Sequence, residues 1–297
     1  MTRAGRNGDR SAREKVSLPE LSGPTPASQP TSGPPHAPQE RFGSVAAASV
    51  MAECLRVHAD VAPRSAFARF FGLSPLSEDS RPWYRGALGE LDVAARLATL
   101  GDGWTVVHSV PVGTRGSDID HVVVGAAGVF TINSKNHEGA RVWVASRRLL
   151  VNGQKTDHLR NSRYEAARTH KLLSDAIGAD VPVRSVIAIV GAKDITTREQ
   201  PDDVAVLSAS QLVRWLKRQK PALDPAQVAA VAAAVCTRAT WSDDPDTHQD
   251  LSGFAALRRE VNAARHVQMA WGAAVLIAVL GITMPLPFPY YERLLGG

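Results

Sequence analysis

Side chains suited to chemistry are concentrated between Gly116 and Gly139, in the sequence GSDIDHVVVGAAGVFTINSKNHEG. Successive side chains of a strand point to opposite faces, so Asp118 and Asp120 are expected to share one face of the first apolar run. Asn133 and Lys135 are expected to share a face of the second run for the same reason. The short turn between the runs predicts an antiparallel hairpin, which would gather Asp120, Asn133 and Lys135 into one cluster.

Upstream of this hairpin, Glu90 interrupts an apolar stripe at helical spacing, formed by Ala87, Val93, Ala94 and Leu97. An ionised carboxylate that faces a core needs a partner or a function, because burying it alone costs several kcal/mol. At the edge of the stripe it could instead reach solvent. A helix carboxylate, a strand carboxylate and a lysine suit metal-assisted phosphodiester hydrolysis, in which Mg²⁺ takes oxygen ligands and an ammonium group orients the attacking water.

Three segments in this order, GALGE ending at Glu90, SDIDHVVVG around Asp120 and GVFTINSKNHEG around Lys135, resemble the nuclease-related domain (NERD), a branch of the PD-(D/E)xK nuclease superfamily. The resemblance covers roughly residues 84–192. It implies that Glu90 matches the helix glutamate, Asp120 the strand aspartate and Lys135 the lysine of the ExK element. It also implies a helix, a mixed β-sheet core and a second helix.

Asn133 departs from the family pattern, which has a glutamate there in members with an intact site. An amide oxygen can still ligate Mg²⁺ but carries no negative charge, so metal binding is expected to be weaker. The expected metal ligands are Glu90, Asp120 and Asn133, with Lys135 as the fourth catalytic residue. Asp118, on the same strand face as Asp120, is a candidate to replace the missing charge.

Other polar residues near this segment favour simpler explanations. His121 falls on the strand face opposite the aspartates, which indicates a packed histidine, whereas His137 follows the second run and could reach a phosphate. The helix that begins near His158 carries four basic residues whose spacing suits either phosphate contacts or an ordinary solvated face. They are Arg160, Arg163, Arg168 and Lys171.

The order of predicted elements indicates an α/β fold with a PD-(D/E)xK-like mixed β-sheet core flanked by helices, a disordered N-terminal arm and a C-terminal transmembrane helix. Predicted helices cover 86–100, 158–177, 208–218 and 225–239, and predicted strands cover 104–110, 118–124, 129–133, 141–144, 149–151 and 183–190.

Composition divides the chain into six parts. They are a basic, proline-rich arm expected to be disordered (1–43), a helical preface and linker (44–82), the NERD-like domain (83–220), a helical segment and linker (221–266), a transmembrane helix (267–284) and a short tail (285–297).

The stretch Val267–Met284 contains 18 uncharged residues and would be about 27 Å long as a helix, just enough to cross a hydrocarbon core. Trp271 near one end, with Phe288 and two tyrosines beyond the other, suits the aromatic belts of a membrane protein. Basic residues precede the stretch, which places the N-terminal body in the cytoplasm by the positive-inside tendency. A buried Ala-rich helix of a soluble domain is the alternative.

The whole sequence of 297 residues excludes a collagen, a disulfide scaffold and a wholly disordered protein. Cys54 and Cys236 are far apart and form no zinc or disulfide pattern, and a net charge of +5 permits nucleic acid or an anionic membrane as partner without requiring either. The leading hypothesis is a membrane-anchored, Mg²⁺-dependent nuclease. The alternatives are a catalytically inactive module that binds nucleic acid or protein at the membrane, and a structural membrane protein whose polar cluster is a hydrogen-bond network.

Overall fold

The computed structural model describes residues 42–112, 118–242 and 250–283. Within this part the helices are α1 (Ala48–His58), α2 (Ala66–Phe70), α3 (Ser80–Leu97), α4 (His158–Ile177), α5 (Ala209–Lys217), α6 (Pro225–Val235) and α7 (Ser252–Thr283). The strands are β1 (Trp104–Pro111), β2 (Asp118–Gly125), β3 (Gly128–Asn136), β4 (Arg141–Ala145), β5 (Arg148–Val151), β6 (Gln154–Lys155), β7 (Val183–Val190), β8 (Asp194–Thr197) and β9 (Val204–Ser208). The predicted arm up to residue 41, the linker at 243–249 and the tail lie outside the described residues.

Two mixed β-sheets form the core and confirm the predicted α/β class. The larger has the strand order β1-β2-β3-β7-β9, in which β1, β2 and β3 are antiparallel and β3, β7 and β9 are parallel. The smaller has the order β6-β5-β4-β8. The connection from β3 to the parallel strand β7 passes through β4, β5 and β6 of the smaller sheet and through α4.

Helices cover both faces of the larger sheet. On one face, residues of α3 and α5 pack with Phe130 and Ile132 of β3. On the other face, residues of α4 and α6 pack with Val129 of β3 and with β2. Because side chains alternate along β3, the strand sends Asn133 and Lys135 toward the α4 face and Ser134 toward the α3 face. The end of β3 therefore lies between the two helical layers.

Helix α3 begins earlier than the sequence pattern indicates. The apolar pattern predicts a start at residue 86, but the helix starts at Ser80. Pro82 lies in the first turn, where a proline costs no intrahelical hydrogen bond. The added turn buries Tyr84 against Phe254 of α7, with ring centroids 5.6 Å apart.

Four short elements were not predicted: α2, β6, β8 and β9. Each has two to five residues, too few for a clear period in the sequence. Helix α6 ends at Val235 rather than at residue 239, and a 3₁₀ turn follows at Arg238–Thr240.

Helix α7 is one continuous element of 32 residues. Its first half packs on the body through Phe254, Leu257 and Ala264, which are buried. The helix is long and apolar enough to cross a membrane, with a mean hydropathy of 1.4 over its most apolar window and only 6% of that window buried. Such low burial disagrees with the alternative of a core helix.

Candidate active site

The β2–β3 hairpin forms as predicted, with the two strands antiparallel, and its open end lies at the candidate site. Cross-strand pairing runs from Gly125–Gly128 at the turn to His121–Ile132. Gly128 has a φ of +117°, which favours glycine. Beyond the last pair, the carboxylate of Asp120 accepts a hydrogen bond of 2.5 Å from the main-chain N–H of Ser134. This side-chain hydrogen bond thus replaces the next backbone pairing of the hairpin.

Helix α3 approaches the end of β3 closely because Gly89 lacks a side chain. A Cβ at Gly89 would lie 2.9 Å from the Cβ of Asn136. Asn136 in turn donates a hydrogen bond of 2.8 Å from Nδ2 to the main-chain oxygen of Arg85. These two contacts fix the helix against the strand and set Glu90, the next residue of α3, beside the lysine end of β3.

Glu90, Asp120 and Lys135 are close enough for their charges to act on one another. Glu90 is only 7% exposed. Desolvation, followed by the negative charge of Asp120, raises the pKa of Glu90 to about 9, and Lys135 opposes this rise. Desolvation also raises the pKa of Asp120, against the lowering effects of Lys135 and the Ser134 hydrogen bond. The structure therefore brings together the helix carboxylate, the strand carboxylate and the lysine.

Asn133 has an acidic partner that the sequence pattern did not single out. Its Nδ2 lies 2.7 and 2.8 Å from the two carboxylate oxygens of Glu165 on α4. Desolvation raises the pKa of Glu165 to about 7, while the hydrogen bond from Asn133 lowers it. Glu165 directly precedes the buried residue Ala166, so the signal that pointed to Glu90, a carboxylate beside a buried helical stripe, was present here too.

The other end of the Asn133 amide is unsatisfied within the described residues. Asn133 is 5% exposed, and its Oδ1 is buried without a hydrogen-bond partner. A buried carbonyl-type oxygen left unpaired is costly unless a ligand or ion takes it up.

Asp118 accepts a hydrogen bond from the hydroxyl of Ser49 on α1. Its pKa is raised by desolvation, while the Ser49 hydrogen bond lowers it, and its charge acts on Glu90. The carboxylate of Asp118 is thus bound to Ser49 on α1. The carboxylate that contacts Asn133 belongs to Glu165.

His121 is fully buried, as expected of a packed strand histidine. Its Nδ1 lies 2.7 Å from Nδ1 of His108, and its Nε2 lies 3.2 Å from the hydroxyl of Ser134. Burial holds its pKa well below the ordinary value, so the ring is neutral at pH 7. The pair supports Ser134, whose N–H holds Asp120.

His137 has a second histidine as its partner. The Nε2 atoms of His137 and His158 are 3.1 Å apart, and the rings are stacked. Burial, then the positive charge of Lys135, lowers the pKa of His158 to about 4. Both rings lie near the lysine and are neutral at pH 7, so either can accept or donate one hydrogen bond.

Most of the basic residues on α4 are paired with acids. Arg163 bonds Asp203 at 2.6 Å, and Lys171 bonds Asp175 at 2.7 Å. Arg160 lies 3.1 Å from Asp157. These exposed pairs make α4 a weaker phosphate-binding surface than its sequence indicated.

The donor set fits a hard divalent cation. In residues 42–112, 118–242 and 250–283, no three His, Cys, Asp or Glu side chains converge as a ready-made metal site. Mg²⁺ does not require one, since it keeps several waters and binds through one or two carboxylates. The carboxylates of Glu90 and Asp120 and the unpaired Oδ1 of Asn133 are ligands of the type that it takes.

Comparison with known protein families gives a match to part of the chain. Residues 85–190 match the family model described as the nuclease-related domain. This segment begins in α3 and ends with β7, so it contains Glu90, the β2–β3 hairpin and Glu165. No curated protein and no solved structure matches the chain.

Proposed function

We propose that this chain hydrolyses phosphodiester bonds of nucleic acid with the help of Mg²⁺. The proposal is supported by the match of residues 85–190 to the nuclease-related domain, a branch of the PD-(D/E)xK superfamily. Glu90, Asp120 and Asn133 would hold the ion through oxygen atoms. Bound there, Mg²⁺ would polarise a phosphoryl oxygen and lower the pKa of a bound water.

The residues of the chain would prepare this chemistry. Lys135, on the same strand face as Asn133, orients the attacking water and offsets charge on the phosphate oxygens. Asp120 is held in place by the main-chain N–H of Ser134, so its orientation is fixed before substrate binds. His137 and His158 lie beside Lys135 and can donate a hydrogen bond to the phosphodiester backbone.

The observation that carries the proposal is the burial of Glu90 beside Asp120. A buried carboxylate whose pKa is raised by desolvation and by the charge of a second carboxylate is unfavourable for folding when it is ionised, and Lys135 offsets only part of that effect on Glu90. A divalent cation would stabilise both ionised forms. Such arrangements concentrate at functional sites.

A cleavage assay tests the proposal. Full-length protein in detergent should nick or degrade plasmid DNA or single-stranded RNA with Mg²⁺ and stop when EDTA is added. Lys135→Met should reduce the rate by about 100-fold or more, since it removes a charge that acts on the transition state. Lys171→Met, on the exposed face of α4, is the matched control and should retain activity. Equal activity of the two variants would exclude the proposed role of Lys135.

Asn133 favours one competing function. With an amide where a carboxylate would strengthen metal binding, the domain could bind nucleic acid without cutting it. Binding of labelled DNA or RNA without cleavage at millimolar Mg²⁺ and Mn²⁺ would support this alternative.

For location, we infer a single-pass membrane protein whose N-terminal body faces the cytoplasm. The apolar part of α7 supports the span, and Arg258, Arg259 and Arg265 precede it on the body side. Protease added to sealed inverted vesicles should digest the body, whereas right-side-out vesicles should protect it.

A further inference from the structure

Glu165 fixes the orientation of the Asn133 side chain. An amide has its two donors on the nitrogen and its acceptor on the oxygen. Because Nδ2 is bound to both oxygens of Glu165, Oδ1 must face away from that carboxylate. Oδ1 is also the atom of this side chain that is buried without a partner in the described part of the chain.

We propose that Glu165 is a positioning residue that presents Oδ1 of Asn133 to the divalent cation and supplies from α4 the negative charge that position 133 lacks. This inference rests on the proposed function. The carboxylate and the amide act as one unit, with the neutral group next to the metal and the charged group behind it. Outer partners of this kind orient metal ligands and tune their strength.

The surroundings of Glu165 support this role over a purely structural hydrogen bond. The buried residues of α4 nearest to Glu165 are small and uncharged, namely Ser162, Ala166 and Thr169. A neutral glutamine could accept the same hydrogen bond from Asn133 without the cost of desolvating a charge. A carboxylate is favoured there if a nearby positive charge offsets its desolvation, and a divalent cation bound at Oδ1 of Asn133 would provide that charge.

The test uses Mn²⁺ as the probe and calorimetric binding to the full-length protein in detergent as the readout. Glu165→Gln keeps a hydrogen-bond acceptor for Asn133 but removes the charge, and it should weaken Mn²⁺ binding about 10- to 100-fold. Glu199→Gln changes an exposed glutamate in the same way and should leave binding unchanged.

A reciprocal exchange separates positioning from folding. N133E alone sets two carboxylates within hydrogen-bond distance, so it should lower the melting temperature of the metal-free protein. The double variant N133E/E165Q restores an amide–carboxylate pair in the opposite order and should recover both the melting temperature and Mn²⁺ binding to within a few-fold of the wild type.

Three outcomes would overturn this inference. They are unchanged Mn²⁺ affinity in Glu165→Gln, a double variant that binds no better than Glu165→Gln, or a wild-type protein that binds no Mn²⁺. If the wild type binds Mn²⁺ but does not cleave nucleic acid, only the proposed function fails, since the positioning role is read from affinity.

A second, independent feature is an exposed aromatic surface next to the apolar half of α7. It consists of Phe67, Phe70 and Phe71, which are 67%, 59% and 40% exposed, together with Leu73. We call these four residues the α2 patch. Large apolar side chains grouped on the surface in this way mark a binding site.

The α2 patch is attached to α7 at Trp271. The indole Nε1 of Trp271 donates a hydrogen bond of 2.8 Å to the main-chain oxygen of Phe70, and its ring stacks on Phe71 with centroids 5.6 Å apart. Gly72, at a φ of +69°, allows this approach, because a Cβ there would lie 2.6 Å from the main-chain oxygen of Ala264. The patch therefore lies level with Trp271, where the exposed large apolar residues of α7 begin with Met269.

We infer that the α2 patch inserts into the interfacial region of a lipid bilayer around α7, an inference that rests on the proposed membrane span. Its continuity with the apolar half of α7 places it at the depth where aromatic rings are stable in membranes. Arg69, exposed on the same short helix, suits anionic headgroups. The patch would act as a second membrane contact that limits rotation of the body about the span.

Fluorescent labelling of the full chain in vesicles tests this contact. In a Cys236→Ser background, an environment-sensitive probe on Phe67→Cys should shift to shorter wavelength and be quenched by shallow nitroxide lipids. The same probe on Glu199→Cys should show neither change. If nitroxide lipids do not quench the probe at position 67, the inference is overturned. An emission shift that depends on the protein-to-lipid ratio would also overturn it, since it would indicate that a second copy of the chain covers the patch.

Discussion

The carboxylate of Asp120 on β2 accepts a hydrogen bond of 2.5 Å from the main-chain N–H of Ser134 on β3, one step beyond the last paired residues of the hairpin. The two strands are therefore held together by a side chain where their backbones stop pairing. This contact fixes an acidic group at the open end of the sheet, beside Lys135.

Removal of this carboxylate should abolish metal-dependent stabilisation. Mg²⁺ or Mn²⁺ at about 100 times its dissociation constant should stabilise the wild type by about 2.7 kcal/mol, because the ion binds only the folded protein. That gain raises the melting temperature by several degrees. Asp120→Ala should show no such shift, and Asp175→Ala, an exposed aspartate of α4, should show the full one. A wild type insensitive to millimolar metal would contradict the ligand assignment.

Stability of the metal-free protein should fall as pH rises from about 7 to 9. The folded-state pKa of Glu90 is about 9, above its ordinary value of 4.5, so the folded protein binds a proton in this range that the unfolded chain has released. The loss should be on the order of 1 kcal/mol per pH unit. His108 and His121, whose pKa values are lowered, are neutral throughout this window.

Glu90→Gln should flatten this dependence, while Glu199→Gln should not. Urea midpoints at the two ends of the window measure it. An equally steep fall in Glu90→Gln would assign the effect to another group.

Gly89→Ala should destabilise the protein, although alanine favours helices over glycine by about 1 kcal/mol. The added Cβ would lie 2.9 Å from Cβ of Asn136, so α3 must move away from β3, at a cost of about 1–3 kcal/mol. Since Glu90 follows Gly89, Mn²⁺ affinity should fall as well. Gly86→Ala is the control, because its Cβ meets only a methyl group of Val50, at 3.3 Å. A more stable Gly89→Ala protein would refute the close packing.

Deletion of residues 267–297 should move the protein from the membrane pellet to the soluble fraction, because it removes most of the exposed apolar surface of α7. Fractionation followed by immunoblotting measures the distribution, with carbonate and detergent washes of the wild type as controls. An unchanged distribution would show that the span is not the anchor.

The sequence predicted the elements with strong periodicity. The β2–β3 hairpin, α4 and β7 lie where alternation or helical spacing placed them, because each is long enough to bury a continuous face. The closeness of Asp120 and Lys135 was also predictable, since both lie on paired strands of one hairpin, whereas the position of Glu90 depends on how closely α3 packs on β3 at Gly89.

The contact between Asn133 and Glu165 was not predicted, because the two residues are 32 positions apart and lie on different elements. Strand alternation placed Asn133 on the correct face, but which helix covers that face depends on the crossover from β3 to β7. Helix α2 was missed for a different reason. Five residues cannot show a helical period, and its position depends on Trp271, which is 201 residues from Phe70.

The unbroken course of α7 limits how the whole molecule can work. Its 32 residues measure about 48 Å, and the half before Trp271 is packed on the body while the half after it is exposed. Because the helix is continuous between the two halves, a bilayer around the second half would hold the candidate site at a fixed height above the lipid surface. The proposed nuclease would then reach only nucleic acid that comes close to the lipid surface. The distance between the site and the membrane would be set by the length of α7 outside the bilayer.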